Sequence, residues 1–425
     1  MKLRYAIPKQ ISAVLVAVIC LVTGMVPASA ATPDELEAEA IVLMEAETGQ
    51  VLYAKNPRQR MYPASITKIM TAMLALEHLD PEDSLTASAQ AVDLPSWGSS
   101  ADIQSGEVLT VAETLYALML PSANEAGNVL AEAVSGSFED FADLMNERAA
   151  ELGATGTHFS NAHGLPTRSP HYTTAYDMAL ITRQAIETPG FLTYFGAGSY
   201  TIPATNLHRR RNLTNVHRML RPDDTLYNPD VIGGKTGYTM QAGYTLVTVA
   251  HREGRTLICV VMKDTDRYED TKALLEYGFS DFSPITYDFS KEEPFSAFLR
   301  DEELGEVMAV FQLPGSVELL LPEGTTPGDL WLKYDHQLLV DSREESWANV
   351  EILLEQAGQE PLALLSIPLE LSSWEFEPIA PVEIPIEEIP KEQEKLPFPF
   401  VPVILVLCGL CVAGICVIAW LIKKR

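Results

Sequence analysis

The chain has 425 residues, of which 47% are hydrophobic and 21% are charged, a composition typical of a globular protein with a sizeable core. This length predicts about two or three domains. The net charge is −28 and all 58 acidic residues lie between short basic ends, so the body should repel nucleic acid and anionic lipid.

The N-terminus has the three parts of a secretory signal peptide. Residues 1–10 are basic, residues 11–26 are almost wholly apolar, and Ala28-Ser29-Ala30 fits a small-residue cleavage site. We therefore predict a signal peptide over residues 1–30. A retained N-terminal anchor is the alternative, which the short apolar run and the cleavage site disfavour.

Residues 32–282 alternate between strand and helix patterns. Strands are predicted at Ala40–Glu45, 51–54, 243–250 and 256–262. Helices are predicted at 66–78, 111–118, 124–134, 269–277 and from Thr174, in a sequence that resembles a capping box, to Ile186. Because no regular strand–helix–strand unit repeats, we expect an α+β domain with an antiparallel sheet flanked by helices.

The remainder of the chain changes character. Short alternating stretches over 285–373 predict a small all-β domain, and a Pro- and Glu-rich segment over 374–395 predicts an extended stalk. Residues 396–422 carry no charge, which exceeds the roughly 20 residues needed to span a bilayer. The basic residues 423–425 then predict a cytoplasmic tail, an extracytoplasmic body and a single-pass cell-membrane anchor.

Cysteine usage is consistent with a body that holds together without disulfides. Cys20 lies in the predicted signal peptide, and Cys408, Cys411 and Cys416 lie in the predicted span. Only Cys259 remains in the body, so no disulfide can form within it. No Cys/His spacing typical of zinc occurs, and no metal or organic cofactor is implied.

Three short motifs carry the candidate chemistry, in chain order. Ser65-Ile66-Thr67-Lys68 lies at the start of a helix that is apolar nearly all round, and Ser122-Ala123-Asn124 lies between two helices. Lys235-Thr236-Gly237 lies at the start of a predicted strand. Each motif alone is common and is usually structural, but the three in this order are the set found in penicillin-binding proteins and class A β-lactamases.

Ser65 and Lys68 form the candidate nucleophile and base. Three positions apart on a helix, they share a face, so the lysine Nζ can reach the serine Oγ. A serine hydroxyl needs a neighbouring base, and a lysine becomes one when burial and a second cation, here Lys235, lower its pKa. A helix N-terminus at Ser65 would also present backbone N–H groups to an oxyanion.

The other two motifs would bind and orient the substrate. Ser122 could relay the proton to the leaving amine, and Asn124 offers its amide to the substrate backbone or to Lys68. Lys235 and Thr236 on a strand edge could bind a carboxylate, while Gly237 lets the substrate approach the backbone closely.

The sequence resembles the low-molecular-mass penicillin-binding proteins, the serine-type D-alanyl-D-alanine carboxypeptidases. The resemblance covers about residues 32–282. It is carried by Pro-Ala-Ser-Ile-Thr-Lys at 63–68, Asn-Ala-His-Gly-Leu at 161–165, Thr-Ala-Tyr-Asp at 174–177, Gly-Lys-Thr-Gly-Tyr-Thr at 234–239 and Ala-Gly-Tyr at 242–244.

This resemblance implies a fold of the β-lactamase/transpeptidase type and a Ser65 acyl-enzyme. It further implies Lys68 as proton acceptor, Ser122 as its helper, and a substrate carboxylate held by Lys235 and Thr236. The backbone N–H groups of Ser65 and Tyr238 would form the oxyanion hole. Expected partners are peptidoglycan stems that end in D-Ala-D-Ala, with β-lactams as acylating inhibitors.

The chain departs from the family pattern in two places. Members commonly end in an amphipathic helix on the membrane, whereas a full span is predicted here. Some members carry an arginine upstream of the third motif that helps bind the carboxylate, and Arg218 and Arg221 are the candidates for it here. His163 is interpreted as a hydrogen-bonded loop histidine and not as a general base.

Two other functions remain open on sequence grounds. A secreted β-lactamase would share the fold, but no Glu-centred deacylation motif occurs in the expected loop, and the β domain, stalk and anchor suit a wall enzyme better. A non-catalytic wall-binding or β-lactam-sensing module would not need intact Ser65, Lys68 and Lys235. The balance between carboxypeptidase, endopeptidase and transpeptidase action depends on the shape of the cleft.

Overall fold

The computed structural model describes residues 36–301, 305–339, 342–355 and 360–377. The first part, to Ser280, mixes strands and helices. Its strands are β1 Ala40–Glu45, β2 Val51–Lys55, β3 Ser84–Thr86, β4 Val108–Thr110, β5 Ser199–Ile202, β6 Arg211–Thr214, β7 Val231–Thr239, β8 Gly243–Arg252 and β9 Arg255–Met262. Its helices are α1 Lys68–His78, α2 Val111–Met119, α3 Asn124–Ser135, α4 Phe138–Glu151, α5 Ala175–Glu187, α6 Phe191–Phe195 and α7 Arg267–Ser280.

A five-stranded antiparallel sheet with the order β2-β1-β9-β8-β7 forms the centre of this part. Its two faces bury alternate residues of β1. Val42 packs in one cluster with Met73 of α1 and Met178 of α5. Leu43 packs in the other cluster with Leu274 of α7. Both faces are therefore covered by helices, as the predicted α+β class requires.

The helix that carries the first motif differs from its predicted bounds. A 3₁₀ turn at Ala64–Thr67 precedes α1, which begins at Lys68 and not at residue 66. Ala64 has a positive φ of 51°, which few non-glycine residues adopt. Ser65 therefore lies in a tight turn directly before the helix, in a conformation that the apolar periodicity of the sequence does not reveal.

Two other local predictions also need correction. Strand β7 begins at Val231, so Lys235 lies in the middle of the strand and not at its start. The Thr174 hydroxyl accepts a hydrogen bond from the Asp177 N–H at 3.0 Å and caps α5. The Asp177 carboxylate does not complete a capping box, since it accepts a hydrogen bond from Thr157 Oγ1 at 2.7 Å.

The part from Phe282 onward consists of strands and short 3₁₀ turns. The strands are β10 Phe282–Asp288, β11 Phe295–Asp301, β12 Gly305–Gln312, β13 Ser316–Pro322, β14 Leu330–Gln337, β15 Trp347–Leu354 and β16 Leu362–Glu377. They form a five-stranded sheet in the order β11-β12-β16-β15-β14 and a β10–β13 pair. This β region agrees with the predicted all-β character, and β16 continues past residue 374, where the predicted stalk begins.

The two parts are joined by a buried glutamine. Gln50, which is fully buried beside β2, donates from Nε2 to the Leu320 carbonyl at 2.5 Å and accepts from the Leu320 N–H at 2.7 Å. Leu320 lies opposite Pro284 in the β10–β13 pair. The Gln50 side chain thus forms the same two hydrogen bonds with the β13 backbone that a neighbouring strand would form. These bonds fix the β region against the five-stranded sheet that contains β2.

Among the residues that the structure describes, no helix is both long and apolar enough to cross a bilayer. The predicted signal peptide, the stalk from residue 378 onward, the predicted span at 396–422 and the tail lie outside the described residues.

Candidate active site

Ser65 and Lys68 are in direct contact. The Lys68 Nζ atom lies 3.0 Å from Ser65 Oγ, 2.8 Å from Asn124 Oδ1 and 2.7 Å from the His163 carbonyl oxygen. Asn124 Oδ1 and the His163 carbonyl accept hydrogen bonds from two N–H groups of the amine. The remaining position on the nitrogen is therefore directed at the serine hydroxyl. The first two motifs therefore meet at one nitrogen atom.

The electrostatics of this nitrogen favour its neutral form. The Lys68 side chain is fully buried, and burial lowers its pKa well below the usual range. The charge of Lys235 lowers this pKa further, while Glu125 opposes the shift. A neutral amine has a lone pair, so Lys68 can accept a proton from Ser65.

The second and third motifs meet in the same way. Lys235 Nζ donates to Ser122 Oγ at 2.9 Å and to the Thr236 carbonyl at 3.0 Å. Burial lowers the pKa of Lys235 to about 7. Ser122 has a positive φ of 67°, a strained conformation that directs its hydroxyl into the site between α2 and α3.

Strand β7 lies against the nucleophile through Gly237. A Cβ atom at this position would lie 2.9 Å from the Ser65 backbone nitrogen and 2.3 Å from Thr245 Oγ1. Only a glycine allows the strand to come this close. Ser65 and the next strand residue, Tyr238, both line the cleft.

A loop behind the lysine is held by Asn161. Its Oδ1 accepts hydrogen bonds from the His163 N–H at 3.1 Å and the Gly164 N–H at 2.7 Å. His163 Nδ1 accepts from the Leu165 N–H at 3.1 Å, and burial lowers the pKa of this histidine to about 3. His163 is thus a neutral loop residue, and its backbone carbonyl contributes to the site by orienting Lys68.

A second histidine, which the sequence did not single out, supports the turn that carries Ser65. His171 Nδ1 accepts from the Ser160 N–H at 3.0 Å, so the neutral ring carries its proton on Nε2. That nitrogen donates to Thr67 Oγ1 at 3.0 Å, and Thr67 Oγ1 donates to the Ala64 carbonyl at 2.9 Å. This chain of hydrogen bonds fixes the strained 3₁₀ turn around the nucleophile.

These groups open into one cleft of about 850 Å³. Ser65, Ser122, Asn124, Thr236, Gly237 and Tyr238 line it, and Lys68 and Lys235 lie buried beneath it. The structure therefore brings together every site residue that the sequence predicted. No group of His, Cys, Asp or Glu within the described part of the chain could hold a metal ion.

Trp97 and Arg267 also line the cleft, and sequence reasoning missed both. The Arg267 guanidinium lies 4.1 Å from the centre of the Tyr244 ring, and its buried Nε has no hydrogen-bond partner within the described residues. The predicted helix over 269–277 does not reach Arg267, which is the first residue of α7 in the structure. A cation that is stacked but not paired is available to bind an anion.

The two arginines considered from the sequence are placed differently. Arg218 Nε donates to both carboxylate oxygens of Asp224, at 3.1 and 2.9 Å. Arg221 forms ion pairs with Asp223 and Asp224. Neither of these arginines lines the cleft, whereas Arg267, which lies downstream of the third motif, does.

Comparison with known proteins agrees with this geometry. The model of the D-alanyl-D-alanine carboxypeptidase family matches residues 27–266. The chain is 31% identical to the D-alanyl-D-alanine carboxypeptidase DacF of Bacillus subtilis over 335 residues, which cover 72% of this chain and 84% of DacF. It is 31% identical to DacD of Escherichia coli over 323 residues, which cover 68% of this chain and 80% of DacD.

Among solved structures, penicillin-binding protein 6B from Escherichia coli superposes with a TM-score of 0.57 and 26% identity. The match covers 81% of this chain and 98% of that protein. The Ser-x-x-Lys, Ser-x-Asn and Lys-Thr-Gly motifs converge in one cleft, and the family model spans more than half of the chain. The chain therefore belongs to the D-alanyl-D-alanine carboxypeptidase family.

Proposed function

We propose that this serine-type D-alanyl-D-alanine carboxypeptidase removes the terminal D-alanine of peptidoglycan peptides through an acyl-enzyme on Ser65. The observation that carries this proposal is the 3.0 Å contact between Lys68 Nζ and Ser65 Oγ, at a lysine whose pKa burial lowers. A neutral lysine in contact with a serine hydroxyl can take its proton, which activates the serine oxygen as a nucleophile.

Acylation begins when Lys68 takes the proton of Ser65 Oγ and the oxygen attacks the carbonyl carbon between the two D-alanines. The carbonyl oxygen gains negative charge, which the backbone N–H groups of Ser65 and Tyr238 stabilise. The C–N bond then breaks, and the leaving amine takes a proton that Lys68 and Ser122 deliver. Water subsequently attacks the ester and regenerates Ser65.

We expect the enzyme to recognise this substrate by the free carboxylate of its terminal D-alanine. Thr236 and Arg267 line the cleft, and Lys235 lies buried beside it with its Nζ against Ser122 Oγ, so these three residues would bind the carboxylate. Charge-assisted hydrogen bonds to a carboxylate are among the strongest in proteins. The acidic body elsewhere would repel an anion, so selection for the carboxylate depends on this local group of cations.

We expect the peptide to bind along β7. This strand lies at the edge of the sheet, so its outer backbone groups are open to another strand. A peptide in extended conformation along this edge would place its terminal carboxylate at Lys235 and Thr236 and its scissile carbonyl at Gly237 and Tyr238. The acyl-donor part of the peptide would then continue past Thr239.

A β-lactamase is the competing function on the same fold. A β-lactam mimics the acyl donor and should acylate Ser65 in either case, so the rate of deacylation separates the two. We expect a long-lived adduct. Rapid and sustained turnover of a chromogenic cephalosporin would favour the β-lactamase instead. Transfer of the acyl group to an amine in place of water would indicate transpeptidase activity and leave the Ser65 chemistry unchanged.

The proposed setting is the outer face of the cell membrane. It is supported by the signal-like segment over 1–30 and by the uncharged run over 396–422 that ends in basic residues. Protease treatment of intact spheroplasts tests it, since the body should be digested from outside. Protection of the body until the membrane is lysed would contradict this location.

Substitution of Ser65 by alanine tests the mechanism. The purified body should release D-alanine from a pentapeptide that ends in D-Ala-D-Ala, and Ser65→Ala should reduce this rate by at least about 10³-fold. Mass spectrometry after penicillin treatment should show one adduct in the parent protein and none in the variant. Ser199→Ala, at an exposed serine of β5, is the matched control and should retain both properties. D-Alanine release that persists in Ser65→Ala would overturn the mechanism.

A further inference from the structure

A second groove lies beside the catalytic cleft and shares a wall with it. The groove has a volume of about 480 Å³. Five residues line both spaces: Gly164, Leu165, Pro166, Thr239 and Gln241. Since Thr239 ends β7 and lines the groove, the part of an extended peptide that precedes the scissile bond would pass through the groove.

The charge of this groove contrasts with that of the rest of the body. Arg60 and Arg168 line it, and no acidic residue does, although the chain has 58 acids against 30 bases. Both arginines are exposed, and within the described residues neither forms an ion pair. Two unpaired cations in a concave surface attract an anion.

The groove is held in shape by contacts within it. The Arg60 guanidinium stacks 4.7 Å from the centre of the Tyr172 ring, which restricts the motion of its long side chain. His171 forms part of the buried floor of the groove, and its Nε2 donates a hydrogen bond to Thr67 Oγ1. Burial lowers the pKa of His171 to about 4, so it adds no charge near neutral pH. Selection by charge therefore depends on the two arginines.

The direction of the substrate limits which anion can reach this groove. The proposed function assigns the terminal carboxylate to Lys235, Thr236 and Arg267, and none of these residues lines the groove. An extended chain advances roughly 3.3 Å per residue along the strand, so residues one or two positions before the scissile D-alanine enter the groove. An anion there belongs to a side chain, or a branch, of the acyl donor.

We propose that Arg60 and Arg168 form a specificity subsite for a carboxylate carried by the acyl donor one or two residues before the scissile D-alanine. This inference rests on the proposed function. It adds that the enzyme distinguishes peptide stems by the charge of their upstream residues, and that it prefers a free carboxylate over the corresponding amide.

Matched peptides test the subsite. Two synthetic peptides that end in D-Ala-D-Ala carry a side-chain carboxylate, one at the residue directly before the scissile D-alanine and the other one residue earlier. A third and a fourth peptide carry the amide at the same positions. The parent protein should cleave a carboxylate peptide with a higher kcat/KM than its amide partner, and the better of the two carboxylate positions identifies the residue that is bound.

The variant Arg60→Gln/Arg168→Gln should remove this preference. Its kcat/KM for the preferred carboxylate peptide should fall about ten-fold, as expected for the loss of two partly exposed ion pairs, and the fall should shrink as salt is added. Its kcat/KM for the amide peptide should change less than about two-fold. Arg58→Gln is the matched control, because Arg58 stacks on Tyr176 in the same segment but lies outside the groove.

The possible outcomes separate this inference from the proposed function. Equal cleavage of carboxylate and amide peptides by the parent protein, or an equal loss for both in the double variant, would overturn the subsite while the carboxypeptidase activity stands. Loss of penicillin acylation in the double variant would show damage to the catalytic cleft and would also count against the subsite. Absence of D-alanine release from every peptide by the parent protein would remove the proposed function, and the subsite with it.

Discussion

Lys235 donates a hydrogen bond to Ser122 Oγ at 2.9 Å, which links the middle of β7 to the turn before α3. The residue next to this pair in the cleft is Asn124, which accepts from Lys68. Two buried lysines are thus placed in one polar cluster with different partners. Lys68 contacts the nucleophile, whereas Lys235 contacts the group proposed to relay the proton.

The two lysines predict a bell-shaped dependence of kcat/KM on pH. The rate should rise with pH as Lys68 loses its proton, because only the neutral amine accepts one, and burial lowers its pKa. Burial lowers the pKa of Lys235 to about 7. The rate should fall as Lys235 loses its proton, because the neutral lysine binds a carboxylate poorly. Bound carboxylate favours the charged lysine, so the alkaline limb of kcat should lie at higher pH than that of kcat/KM.

Lys235→Arg tests the assignment of the alkaline limb. Arginine stays protonated, so this limb should move upward by about two pH units or more, although the absolute rate falls with the changed geometry. The measurement is the pH profile of D-alanine release. An alkaline limb that stays in place in the variant would show that another group controls it. Lys263→Arg, on the exposed side of the body, should leave the profile unchanged.

Gly237→Ala should reduce activity through the distance between β7 and the nucleophile. The added Cβ would lie 2.3 Å from Thr245 Oγ1 and 2.9 Å from the Ser65 nitrogen, so the strand has to shift. A displacement of about 1 Å in an active site costs about 10²-fold in rate. Gly315→Ala, where an added Cβ meets nothing within 4 Å, is the control. Full penicillin acylation of Gly237→Ala at the parental rate would contradict the close approach.

Thr67→Val should weaken the support of the nucleophile turn. The change keeps the shape of the side chain but leaves His171 Nε2–H without its acceptor and removes the hydroxyl donor to the Ala64 carbonyl. We expect a loss of about 2 kcal/mol in the free energy of unfolding and a lower kcat. Chemical denaturation and single-turnover acylation measure the two effects. Thr201→Val, at an exposed hydroxyl, should change the stability by less than about 0.5 kcal/mol.

Arg267→Gln should impair recognition of the terminal carboxylate. We expect kcat/KM for a peptide with a free C-terminus to fall by about ten-fold or more, since a charge-assisted contact contributes about 1.5–3 kcal/mol. A depsipeptide or ester substrate that lacks the terminal carboxylate should lose much less. Arg210→Gln is the control at an exposed arginine that does not line the cleft. Equal losses for both substrates would indicate that Arg267 acts through Tyr244 and not through the carboxylate.

Local patterns predicted much of the fold correctly. Strand β1 and helices α2 and α3 agree with their predicted bounds within about one residue, because apolar periodicity and turn residues determine such elements locally. The amphipathic helix α4 was not predicted, nor were the short β3–β4 and β5–β6 pairs. Strands of only three or four residues obtain their stability from tertiary packing, so their sequences carry little signal.

The chemistry of the site divides in a similar way. Ser65, Lys68, Ser122, Asn124 and Lys235 were found because their residue types and spacing follow from what acyl transfer needs. Arg267 lies 32 positions after Lys235 and reaches the cleft only because β8 and β9 return the chain to it. His171 supports the turn from a loop on the other side of the nucleophile, a contact that no spacing rule contains.

By itself, the sequence predicted the candidate residues for the reaction, since the residue types of Ser-x-x-Lys, Ser-x-Asn and Lys-Thr-Gly each meet a local requirement of acyl transfer. Only the tertiary structure decided how these residues act on one another. Burial lowers the pKa values of Lys68 and Lys235, and the close approach at Gly237 places Ser65 against β7. These properties depend on distance and solvent exclusion between segments far apart in the chain, which a linear pattern does not encode.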